Sequence, residues 1–122
     1  MHYAPPSFQS PHRVMLLTAA SHGWYQAADQ SARERILVQL RRFYERWEEA
    51  GARLLGSFDD DYFLVGQPSP LHYSIYTLYE VDEIDFIPAL MNSLREEVDG
   101  LRLDSCFRME ARIGRSLFLV PN

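Results

Sequence analysis

Two histidines, a run of three aspartates and an alternation of arginine with glutamate are the residues of this chain whose types and spacing could do chemistry. His22 follows the apolar run 13–20 and precedes Gly23-Trp24-Tyr25. A histidine at a strand end can act as general base near neutral pH, with Trp24 and Tyr25 as aromatic contacts for a substrate. The competing reading is a loop histidine in water. His72 stands four residues before Tyr76 in the run 72–81, a spacing that in a strand puts both on one face. Arg108, Glu110 and Arg112 alternate after Asp104, and a guanidinium there could hold a carboxylate or phenolate. The same residues could instead form an internal salt-bridge ladder or a solvated face. Asp59-Asp60-Asp61 could bind a cation or supply a base, since adjacent carboxylates raise one another's pKa, but aspartates in series are also the ordinary chemistry of a turn. Cys106 falls on the parity of Arg108, which assigns it to the same face. The catalytic candidates are thus His22, His72 and Arg108, and the substrate-contact candidates Trp24, Tyr25, Tyr76, Glu110 and Arg112. No HxxxH, HxH or EF-hand spacing is present, so no metal set is expected.

Composition removes several mechanisms. The 122 residues include 12 basic and 17 acidic side chains, a net charge of −5, and every basic residue is arginine. Without lysine there is no Schiff base, no P-loop lysine and no lysine base. The acidic balance, with no basic run longer than Arg41-Arg42, argues against nucleic acid and against an anionic membrane surface as partners. One cysteine cannot form an internal disulfide or a thiolate zinc cage. No apolar stretch approaches the roughly 18 residues of a membrane span, and Met1-His2-Tyr3-Ala4-Pro5-Pro6 does not read as a signal peptide, so a cytoplasmic protein is expected. A hydrophobic content of 47% is enough for one packed domain.

The elements that must position these residues follow from periodicity. Residues 1–12, with three prolines, read as a flexible arm ahead of a single domain over 13–122. A first strand is expected at 13–20. Over 31–50, Ile36, Leu37, Leu40, Phe43, Tyr44 and Trp47 share one stripe of a helix, with Asp29 or Ser31 as cap and Gly51 as stop. A second strand over 52–58 is expected to bulge or turn at the aspartates, Gln67-Pro68-Ser69-Pro70 is a loop, and 72–81 is a third strand rich in aromatic and β-branched residues. A second amphipathic helix over 82–98 tolerates Pro88 only in its first turn and ends at Gly100. Strict alternation over 101–113 predicts a last strand. The order is βαββαβ, an α+β ferredoxin-like sandwich with a four-stranded antiparallel sheet and two helices on one face. The apolar faces of the third strand and the tail 116–120 then call for a second copy over the open face, with the tail crossing as a strand, or for a monomer that folds its own tail back.

With Asp59-Asp60-Asp61 ahead of Leu64-Val65-Gly66, the strand 72–81, and Met109-Glu110-Ala111-Arg112-Ile113-Gly114-Arg115, the chain resembles the dimeric α+β barrel superfamily over residues 13–117. Within it, the chain is similar to the small B-type proteins of bacterial indole-3-acetate catabolism. The superfamily groups cofactor-free monooxygenases, muconolactone-type isomerases, polyketide cyclases and haem-binding relatives. The resemblance implies a pocket in each half-barrel for a small aromatic, indolic or polyketide-like molecule, with the end of the first strand at its mouth, in a homodimer. It carries over a site location and no catalytic role; the residues themselves supply a histidine base, His22 or His72, and an arginine partner, Arg108 or Arg112, enough for a cofactor-independent oxygenase, isomerase or cyclase. Two alternatives stay open: a haem enzyme with His22 or His72 as axial ligand, and a non-catalytic accessory protein that binds a pathway intermediate.

Overall fold

The computed structural model describes residues 10–66, 72–117 and 119–120. Its main sheet has four strands: β1 (His12–Ala20), β2 (Arg53–Asp59), β3 (Ile75–Val81) and, after the smaller elements, β6 (Phe107–Gly114). The spatial order is β2-β3-β1-β6 and every neighbour is antiparallel. The chain is therefore α+β, with a four-stranded antiparallel sheet and helices packed on it.

Helix α2 (Gln30–Glu49) forms because its apolar residues recur at helical spacing, burying Ile36, Leu40, Phe43 and Trp47. Asp29 is the cap: its carboxylate accepts from the Ala32 amide at 2.8 Å. Gly51 follows with φ of 111°, a conformation glycine adopts without cost. The second helix is shorter than its periodicity suggests. It spans Ile87–Asn92 (α3), with Pro88 in the first turn, and continues as a 3-10 turn, Ser93–Arg95. Residues 97 and 98 then leave the helix as strand β4 (Glu97–Val98), which pairs with β5 (Leu101–Arg102). Asp99 and Gly100, with φ of 53° and 79°, form the turn between them. An Asp-Gly pair with both φ positive makes the tight turn that matches strand twist, so Gly100 closes a hairpin and does not end a helix.

The last strand is also corrected. The alternation over 101–113 is interrupted by a helical turn, α4 (Leu103–Cys106), tied by Arg102 to Asp104 at 2.7 Å and by the Ser105 hydroxyl donating to the Arg102 carbonyl. Cys106 thereby turns away from Arg108 and is buried with Ile36, Leu40 and Phe107. In β2 the irregularity lies between Leu54 and Gly56, while the aspartates form an Asx turn in which the Asp61 amide donates to Asp59 at 3.2 Å. The arm loses its end to β1, since His12 is the first strand residue and is buried; residues 1–9 and the loop 67–70 lie outside the described residues. The tail is not a strand at Ser116 and Leu117, and the Val120 amide turns back to the Leu117 carbonyl at 3.2 Å; Phe118 lies outside the described residues.

The core sits between the sheet and the helices. Val14, Leu16, Tyr79 and Val81 meet Phe43 and Trp47 of α2 and Ile87 and Leu90 of α3. Trp47 is fully buried and stacks on Tyr79 with ring centroids 5.4 Å apart, while Phe43 and Phe86 meet its edge. Buried hydroxyls on this side find one another: Thr18 with Tyr44 at 2.8 Å, Thr77 with Ser57 at 2.9 Å. Burial raises the pKa of Tyr44 and of Tyr79 above the ordinary tyrosine value. Both are neutral in the fold and ionise more readily once unfolded. Their contribution is thus fully present below about pH 10 and is lost as pH rises beyond it. Circular dichroism against alkaline pH is expected to show unfolding at lower pH in the native chain than in Tyr44→Phe/Tyr79→Phe, when each is referred to its own neutral-pH signal.

The opposite face of the sheet carries Met15, Leu17 and Ala19 of β1, Tyr76 and Leu78 of β3, and Phe58 of β2, as the registers dictate. Its β6 edge presents Arg108, Glu110 and Arg112. At the far end Arg13 and Arg53 both bind Glu80, and Arg53 also binds Asp82, at 2.7–3.0 Å. Among the described residues no helix is long and apolar enough to cross a membrane.

Candidate functional site

Antiparallel pairing gathers the chemistry at one end of the sheet. Asp59 pairs with Ile75, Thr18 with Ile75 and Ala20 with Phe107, so the ends of β1 and β2 and the starts of β3 and β6 lie together. His22, the aspartates, His72 and Arg108 all flank that end.

His72 lies three residues before β3, not inside it, so period-two spacing does not carry it onto the face of Tyr76. It is held by other means. The Asp60 amide donates to the Ser74 carbonyl at 3.0 Å, which joins the two sides of the excursion between β2 and β3. The Arg108 Nη2 donates to the His72 carbonyl at 3.3 Å, and its guanidinium carbon lies 5.2 Å from the centre of the Tyr73 ring. The His72 imidazole is half exposed, with Nε2 3.7 Å from Oδ1 of the better covered Asp60. Beyond it Tyr76 meets Phe58 on the sheet face, centroids 5.8 Å apart.

The three charged residues of β6 separate into two roles. Glu110 and Arg112 bind each other at 2.8 Å, the internal pairing that their alternation allowed. Arg108 has no carboxylate partner among the described residues, and with one donor on a carbonyl and a face on Tyr73, it keeps donors for an incoming anion.

His22 is elsewhere. It opens a short helix, α1 (His22–Tyr25), which packs on α4 and β6. Trp24 lies against Phe107 at 5.8 Å under the guanidinium of Arg33, on the helix side, and Tyr25 is exposed. The contact depends on Gly23, where an added Cβ would stand 2.5 Å from the Ser105 carbonyl oxygen. Gly23→Ala is expected to lower stability by about 1–3 kcal/mol, read as a lower urea midpoint with unchanged slope.

The structure thus brings together His72 and Arg108, with Tyr76 on the adjoining sheet face, and does not group His22, Trp24 and Tyr25 with them by any described contact. Tyr73 and Asp60 are the additions. Tyr73 was visible only as one aromatic among many. Asp60 was visible in the tri-aspartate, but its place beside His72 depends on a pairing across the excursion.

Among the described residues no three histidine, cysteine, aspartate or glutamate side chains are close enough to hold a metal ion. A haem ligand must project into an apolar slot wide enough for a porphyrin. His22 and His72 are exposed, and neither lines the grooves of about 490, 290 and 360 Å3 that run along α2. In comparisons with family models, curated proteins and solved structures, the chain matches none.

Proposed function

We propose that this chain is a ferredoxin-like subunit of a homodimeric α+β barrel, and that it catalyses proton abstraction from a small aromatic, indolic or polyketide-like compound in the cytoplasm of a bacterium. The strand order β2-β3-β1-β6 supports the ferredoxin-like reading, and the exposed Phe58 with the half-buried Tyr76 and Leu78 beside it on the sheet face away from the helices supports a second copy over it. Cofactor-free oxygenation of a carbanion, isomerisation through a dienolate and aldol-type cyclisation share one first step. A base takes a proton from an activated carbon, and the C–H electron pair becomes an enolate whose oxygen needs a donor.

The observation that carries the reading is Arg108. It lacks a carboxylate partner among the described residues, and it is fixed on Tyr73 and on the His72 carbonyl, beside the imidazole that would take the proton. The test is deuterium exchange at the methylene of benzoylacetone in D2O, followed by proton NMR. The protein is expected to accelerate exchange, and His72→Ala to lose the acceleration. Exchange at the buffer rate, or His72→Ala as fast as the native chain, overturns the catalytic reading; saturable binding without exchange would make the protein an accessory ligand binder.

A further inference from the structure

Asp60 does more than make a turn. Resting on the proton-abstraction reading, we infer that Asp60 is the positioning residue of His72, so that the base nitrogen is Nδ1. Three observations place it there. The Asp60 backbone is fixed across the excursion by the bond to Ser74 at 3.0 Å, its carboxylate is well covered, and its Oδ1 faces Nε2 of His72 at 3.7 Å. The neighbouring Asp59 carboxylate accepts from the Asp61 amide at 3.2 Å, and among the described residues Asp60 is the aspartate of the three within 4 Å of the imidazole.

A carboxylate on one ring nitrogen fixes both the tautomer and the ring plane. With the Nε2 proton toward Asp60, the Nδ1 lone pair is left for the substrate. In the step, the carbon-bound proton moves to Nδ1, the enolate forms toward Arg108, and Asp60 stays ionised beside the resulting imidazolium. The backbone of the same imidazole is held by Arg108 at its carbonyl, so base and anion donor are set by one cluster. At 3.7 Å the carboxylate and the ring nitrogen stand within ion-pair range, and their attraction is stronger for the imidazolium than for the neutral ring.

The test uses benzoylacetone exchange in three variants. Asp60→Ala is expected to lower the exchange rate at saturating probe by about 10- to 100-fold, with the half-saturating concentration within about twofold of the native value. Asp60→Glu restores part of the rate, and Asp61→Ala leaves it unchanged. A structural defect would instead move both constants and would not be rescued by glutamate. The ring itself gives the second readout: in NMR, His72 of the native chain is expected in one rotamer with Nε2 carrying the proton, and in Asp60→Ala as an average of rotamers and tautomers. Asp60→Ala with native exchange rate, or with a native single rotamer, overturns the inference. If the native chain fails to exchange the probe, the functional reading falls, and the ring of Asp60→Ala still decides whether Asp60 positions His72.

Discussion

Trp47→Ala is expected to lose about 3–5 kcal/mol of unfolding free energy, which for a domain of this size lowers the thermal midpoint by about 10–20 °C. The side chain is fully buried, parallel to Tyr79 at 5.4 Å and met at its edge by Phe43 and Phe86, so truncation empties a volume that α2, β3 and the segment before α3 all border. That loss is a large share of the roughly 5–15 kcal/mol by which domains are stable. Trp47→Phe separates packing from polarity. Among the described residues the buried indole Nε1 has no hydrogen-bond partner, a cost of about 1–3 kcal/mol that phenylalanine does not carry. Its midpoint is therefore expected much closer to the native one. Equal losses in the two variants, measured by urea unfolding, would show that the stack contributes through something other than filled volume.

The second large effect is on catalysis. His72→Ala is expected to slow methylene exchange by about 10²- to 10⁴-fold, the range a positioned general base supplies. His22→Ala is expected to leave it unchanged, because His22 sits on α1, whose described ring contacts run from Trp24 to Phe107 and Arg33 and do not include Tyr73 or Arg108. Arg108→Lys keeps the charge but loses the planar stack on Tyr73 and the fork of donors, so an intermediate rate is expected. A His22→Ala rate as low as that of His72→Ala would move the base to the other histidine and with it the whole site.

The sheet and the long helix were legible because their signals are periodic. The stripe from Ile36 to Trp47 is buried, and the alternation from Phe107 through Met109 to Ala111 turns one face of the strand to the core, so a residue misplaced by one step would break either pattern. The places where the sequence misled are local. Residues 82–98 carry helical spacing throughout, yet Asp99-Gly100 nucleates a hairpin that takes Val98 into β4, and the Asp-Gly pair was the signal for it. Likewise 101–106 alternates as a strand would, but Arg102, Asp104 and Ser105 bond to their own neighbours and close a helical turn. The site was half legible for the same reason. Residue types marked His72 and Arg108. Their meeting depends on the carbonyl of one and the guanidinium of the other across 36 positions, and no spacing rule encodes such a contact.

Strand β2 lies at the edge of the sheet, and its outward backbone groups have no strand to bind. With Leu54, Leu55 and Phe58 exposed on it and Tyr62, Phe63, Leu64 and Val65 exposed just beyond, this would be a template for fibril growth if it were straight. The irregularity between Leu54 and Gly56 breaks the regular spacing of those groups, so another extended chain cannot zip along the whole edge. A displaced residue in one strand thereby shortens the stretch of edge that a second extended chain could follow.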